Sequence, residues 1–170
     1  MKPHKKDSYH IQLKKTFIPF LKKNGYEKVY DGDSRLLQIN VPIGKRGESI
    51  PYHPDIWYEI PKTRKKVIIE FIHTQSDNET IADVFLAFFV GNVKTLFLLT
   101  TTEQKMDEVY CLVHKMEKLI EDNANKDWKQ LGFPTYVVDY ISLDKFKSKP
   151  ELMKSIKEIF NYWHENQKYI

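Results

Sequence analysis

The chain has 170 residues, 41% of them hydrophobic and 29% charged, with ten Phe and ten Tyr, a composition that excludes an intrinsically disordered chain. No apolar run reaches the roughly 18 residues of a membrane span and the opening MKPHKKDSYH has no apolar signal core, so a cytoplasmic protein that does not enter the membrane is expected. The single cysteine, Cys111, rules out an intramolecular disulfide framework and a cysteine-based zinc site. The net charge of +4 is uneven: residues 1–66 carry 15 Lys/Arg against 7 Asp/Glu, and residues 67–170 carry 12 against 16. A basic half of this kind attracts polyanions, although a solvated lysine-rich surface has the same composition.

In chain order, Ile11, Phe17, Ile18 and Leu21 recur at helical spacing and predict a helix over 8–23, distorted at Pro19 and stopped by Asn24-Gly25. Asp31-Gly32-Asp33 is a turn, residues 35–43 are a strand, and 44–48 (GKRGE) form a basic loop. The β-branched and aromatic runs 55–60 and 65–74, joined by Pro61-Lys62-Thr63-Arg64, predict a β-hairpin. Ser76-x-x-Glu79 has the form of a capping box and opens a helix over 78–91. An apolar strand follows at 93–101, covered on both faces. Thr101-x-x-Gln104 opens a helix whose stripe is Met106, Val109, Tyr110, Val113, Met116, Leu119 and Ile120. A strand at 134–143 precedes a last helix opened by Ser148-x-x-Glu151, with Pro150 in its first turn and Leu152, Ile156, Ile159, Phe160 and Trp163 on one face. The order αβββαβαβα implies an α/β fold with a mixed sheet between helices, in a single domain over 1–170.

One acidic residue is out of place. Glu70 interrupts the apolar run Val67–Ile72, and a buried carboxylate is costly unless something pairs with it or coordinates it. With the hairpin link at 61–64, paired positions sum to 125, which sets Asp55 opposite Glu70 on one face, their Cβ atoms about 5 Å apart. Carboxylates that close require a shared proton or a cation between them, and oxygen donors suit Mg²⁺ or Mn²⁺. Such an ion generates a hydroxide-like nucleophile and stabilises charge on a phosphoryl oxygen. The alternative is that Glu70 pairs with a nearby Lys or Arg, or faces solvent. The same register sets Glu59 opposite Lys66 as an ordinary cross-strand ion pair and leaves Asp55–Glu70 without an evident partner.

A Pro-Asp at a strand start, a Glu within the paired apolar strand, and an αβββαβ succession together resemble the PD-(D/E)XK, or restriction-endonuclease-like, nuclease superfamily. The resemblance covers about 8–101, with 102–170 as peripheral additions. It implies a mixed sheet flanked by helices and Mg²⁺-dependent hydrolysis of nucleic-acid phosphodiesters, DNA being the expected substrate. By position, Asp55 and Glu70 would be metal ligands, helped by the carbonyl of Phe71. The pattern also requires a lysine at position 72, where this chain has Ile72. In the hairpin register His53 falls opposite Ile72 on the face of Asp55 and Glu70, where an imidazole could ligate metal, orient water or act as a base. His73 is the other candidate, although strict alternation points it to the opposite face unless a bulge turns it.

Lys45 and Arg46 in the glycine-flanked loop, with Lys62, Arg64 and Lys65 at the hairpin link, are the expected phosphate contacts. Trp57 and Tyr58 could stack on bases, and core packing is the commoner use of such residues. His4, His10, His114 and His164 are scattered and carry no assignment. A homodimer is an expectation from the resemblance only. The competing function is a module that keeps the fold without turnover and binds nucleic acid or a protein partner.

Overall fold

Hydrophobic residues on both sides of a short polar link form the centre of this molecule. In the computed structural model, which describes residues 8–41, 48–73 and 75–166, strands β4 (Ile56–Glu59) and β5 (Lys66–Ile72) form the expected antiparallel hairpin. Its register is Ile56 with Ile69 through Glu59 with Lys66, every pair summing to 125. The link closes tightly: Arg64 N–H donates to the Ile60 carbonyl, and both Lys62 and Arg64 adopt positive φ, 69° and 55°.

β5 then pairs in parallel with β6 (Val93–Thr100), and β6 in parallel with β7 (Thr135–Tyr140). On the other side β4 pairs antiparallel with β1 (Val29–Asp31), giving a mixed five-stranded sheet in the order β1-β4-β5-β6-β7. Alternation along β5 divides the core. Val67, Ile69 and Phe71 join the side chains of helices α1 (Ser8–Lys23) and α4 (Lys149–Asn166), together with Phe146 of a short 3-10 turn (Leu143–Lys147). Ile68 and Ile72 join those of α2 (Asp77–Phe88) and α3 (Glu103–Ala124) on the opposite face. The architecture is a helix–sheet–helix sandwich, the α/β arrangement that the periodicities predict.

The helices start and stop largely where their residue types direct. Ser76 and Glu79 form a reciprocal capping box on α2, and Gly25 takes φ +89° after α1. Pro19 lies on the exposed side of α1, and the helix runs through it. The five apolar residues predicted for α4 are all buried.

Several expectations are corrected. The strand predicted at 35–43 is β2 (Leu37–Val41), and it leaves the main sheet to pair with β3 (Glu48–Tyr52) as a separate two-stranded ribbon. Its expected place is taken by β1, three residues too short to show any periodicity. Pro51 lies within β3, and a ribbon with two open edges tolerates its missing N–H where a central strand would not. The N-cap of α3 is Thr102, which accepts from Lys105 N–H, rather than Thr101. On α3 Tyr110 and Leu119 are exposed, and Val109 and Val113 are its buried residues. Glu59 and Lys66 are opposite one another but bond elsewhere: Lys28 reaches Glu59 at 2.7 Å, and Lys66 donates to the Gly91 carbonyl. Trp57 and Tyr58 are core residues. Among the described residues no helix is long and apolar enough to cross a membrane.

Candidate active site

The regular β4–β5 ladder ends at the pair Ile56–Ile69, and one residue further its hydrogen bonds pass to carboxylates. Asp55 N–H donates to Glu70 Oε2 at 3.0 Å, and Phe71 N–H donates to Asp55 Oδ2 at 2.9 Å. Each acid thus accepts from the backbone of the other strand, and the two cross-link the open end of the hairpin. Both are buried, Asp55 to 6% and Glu70 to 5% exposure. The Tyr52 hydroxyl, at the base of the ribbon, donates to Glu70 Oε1. Glu70 shares strand parity with Ile68 and Ile72, which face α2 and α3, whereas Asp55 is met from the other face by α1.

That helix brings two side chains, His10 and Lys14, whose spacing of four stacks them on one helix face. His10 Nε2–H donates to the Phe71 carbonyl at 2.7 Å and lies 3.6 Å from Asp55 Oδ2. Lys14 Nζ is 2.8 Å from Asp31, 3.2 Å from Asp33 and 3.7 Å from Asp55 Oδ1. The turn carrying Asp31 and Asp33 is pressed onto the strand entrance: a Cβ on Gly32 would come within 1.7 Å of the Pro54 carbonyl oxygen. Glycine is required there by close approach, and the contact holds the Pro54–Asp55 segment against the turn.

A third acid comes from α2. Burial, then the charge of Asp55, push Asp83 up to about 6, against a hydrogen bond from Gln75 that lowers it. Burial raises Glu70 well above the ordinary carboxylate range, followed by the charges of Asp55 and Asp83, while the bonds from Tyr52 and the Asp55 amide oppose the shift. Tyr52 is raised for the same reasons, burial first and Glu70 next. The acids Asp55, Glu70 and Asp83 therefore share one negative field, with Lys14 and His10 beside it.

The donor set is chemically suited to a small hard cation: carboxylate and carbonyl oxygens in a buried, electronegative site. Asp55 Oδ2 and the Phe71 carbonyl both turn toward His10 Nε2, so these two oxygens could hold a divalent ion together. The two oxygens of Glu70 accept from Tyr52 and from the Asp55 amide. Among the described residues no three His, Cys, Asp or Glu side chains cluster as a metal-holding group, so the convergent set is side chains plus a carbonyl.

The remaining predicted site residues scatter. His53 is exposed, lies before the ladder begins, and does not make the expected pairing with Ile72. Ile72 is fully buried in the apolar core, so no cation stands at that position. His73 is half-buried just beyond β5, its Nδ1 3.0 Å from Thr101 Oγ1 and its ring stacked 6.3 Å from Phe71. Lys62, Arg64 and Lys65 are exposed at the opposite end of the hairpin from Asp55, roughly 17 Å along the strand. Lys62 and Arg64 border a cavity of ≈ 470 Å³ that is also lined by Lys28, Glu27 and Glu59. Lys45 and Arg46 lie outside the described residues. Sequence reasoning missed Tyr52, Asp83, His10 and Lys14. The available signal for Lys14 was its place beside Leu13 on the apolar side of α1, where an unpaired lysine would be costly. The chain matches no family model, no curated protein and no solved structure among those compared.

Proposed function

We propose that the protein is a divalent-metal-dependent nuclease that hydrolyses phosphodiester bonds in DNA, built on a restriction-endonuclease-like plan. One observation carries the proposal: two buried acids, Asp55 and Glu70, lock the open end of the central hairpin beside the Phe71 carbonyl, which turns toward α1. The succession of α1, the strands β1, β4 and β5, then α2 and β6, with the acids at the end of the second and within the third strand, is consistent with that plan.

Asp55 and the Phe71 carbonyl would hold Mg²⁺ or Mn²⁺ from the protein side, with Glu70 fixing the Asp55 backbone. The ion, when bound, supplies a lowered water pKa and Lewis acidity at the phosphoryl oxygen. Lys14 offsets part of the negative charge of Asp55 and keeps its carboxylate turned toward α1. Tyr52 and the Asp55 amide orient Glu70. The excess of basic residues in 1–66 provides the attraction for a polyanion.

Supercoiled plasmid and labelled oligonucleotides, incubated with Mg²⁺ or Mn²⁺, test the assignment. Cleavage should fall at least about 100-fold in Asp55→Ala and in Glu70→Ala, the upper end of what changes around a metal site cost. Activity left intact in both folded variants rejects it. A second reading, a nucleic-acid-binding module without turnover, draws on Ile72 and on the structural hydrogen bonds that occupy Glu70. It predicts salt-sensitive DNA retention with no cleavage under any metal.

A further inference from the structure

The end of the hairpin away from the acids carries an aromatic groove. Phe85, in the last turn of α2, and Phe89, its C-cap, are 44% and 45% exposed, although their rings lie 4.7 Å apart. Phe133, in the segment between α3 and β7, joins them 5.7 Å from Phe89 and packs on the buried Trp128 and Phe88 at 4.8 and 5.8 Å. Single exposed apolar residues are ordinary on a protein surface, but rings that touch one another while facing water form a patch. A cavity of ≈ 410 Å³ runs along this wall, lined among others by Phe88, Phe89, Asn92, Phe133 and the exposed Lys65. Among the described residues Lys65 is the only charged one that lines it.

The groove is tied to the hairpin link. Asn92 Nδ2 donates to the Arg64 carbonyl, Lys66 N–H to the Asn92 carbonyl and Lys66 Nζ to that of Gly91, each at 2.8 Å. The exposed Lys62, Arg64 and Lys65 are therefore held beside the rings as one unit. We infer that this groove binds single-stranded nucleic acid, its bases stacked on Phe85, Phe89 and Phe133 and its phosphates on Lys62, Arg64 and Lys65. Every base has a π face, so phenylalanines, which offer no hydrogen bond, receive bases without regard to sequence. A duplex keeps its bases stacked inside and presents only its backbone to such a wall. Charge decides the occupant: a second copy of this chain would bring the same cations to the contact, like against like, whereas a polyanion is complementary. The groove lies at the other end of β5 from Glu70, so it stands whether or not the acids support catalysis.

Fluorescence anisotropy of a labelled oligothymidine of about 12 nucleotides, without divalent metal so that cleavage plays no part, reads the binding. The strand should bind at least about tenfold more tightly than an abasic strand of the same length. Phe85→Ala and Phe89→Ala, both at exposed positions, should each weaken it at least about fivefold and leave the abasic strand and a duplex unchanged. Lys65→Gln should instead weaken both single strands and lower the slope of log affinity against log salt by about 0.7. Strands carrying iodouracil should photocrosslink within residues 85–89 or at Phe133. Equal affinity for the thymidine and abasic strands, or crosslinks confined to other segments, overturns the site. So does oligothymidine binding left unchanged in both phenylalanine variants, the result expected of a groove that holds a protein. None of these outcomes bears on Asp55 and Glu70, whose assignment is read by cleavage.

Discussion

Asp83 shows how the site's charge is set by residues that no local pattern marks. Its carboxyl has an ordinary value of 3.8 and a folded value of about 6, so the folded protein retains a proton that the unfolded chain has already released. The unfolded state therefore binds fewer protons across that window, and stability falls as pH rises from about 4 to beyond about 6. Glu70 moves in the same direction, from burial first. Asp83→Asn removes one of the two contributions. In urea unfolding it should change little at pH 4 and gain about 1–2 kcal/mol at pH 8, after discounting for partial exposure. An unchanged difference between the two pH values would mean that the burial of Asp83 is not what raises it. Lys14 marks the limit of what residue types reveal: an apolar-side lysine in a helix implies a partner, but its partners, Asp31, Asp33 and Asp55, are 17 to 41 positions away.

Helix starts set by local chemistry were legible to within a residue or two, whereas α2 ends at Phe88, three residues before the expected 91. The Ser76–Glu79 box and the break at Asn24-Gly25 depend on side chains and backbone within one turn, so the sequence contains everything that determines them. The start of α3 was displaced by one position because three consecutive threonines, Thr100–Thr102, are chemically equivalent as caps and the end of β6 decides among them. Thr102→Ala should cost about 1 kcal/mol in chemical denaturation, while Gln104→Ala, removing the box partner the pattern implied, should stay within about 0.5 kcal/mol. Equal losses would restore Thr101 as the cap. The ribbon β2–β3 was half legible. The strand character of 37–41 is local, but its choice of partner is between two available edges, and Tyr52 biases that choice by burying its ring and bonding Glu70.

At the scale of the molecule, order should follow the number of sides on which a strand is paired and covered. β5 and β6 are each bonded on both edges and buried on both faces, whereas the ribbon has two strands and two open edges. Amide exchange should therefore be slowest at 68–71 and 96–99, and at least about 100-fold faster across β2 and β3. Comparable protection in the ribbon would show that it is held by more than its base. The same topology explains the location of the candidate site. It opens where β4 ends and β5 continues, so α1 reaches it from one face and α2 from the other.

The order of residues alone determined the hairpin and its register, because a four-residue link allows one pairing that buries both apolar faces. It likewise determined the α/β alternation, since periods of two and of about 3.6 are properties of neighbouring residues. That register set Asp55 near Glu70, but the expected placement of both side chains on one face is corrected: the ladder ends at Ile56–Ile69, and Asp55 turns to α1 on the face opposite Glu70. What only the tertiary structure decided was the company those acids keep: Tyr52, His10, Lys14 and Asp83 arrive on three other elements, β3, α1 and α2, and the packing of helices on a sheet, which no short-range pattern encodes, turns their side chains to one place.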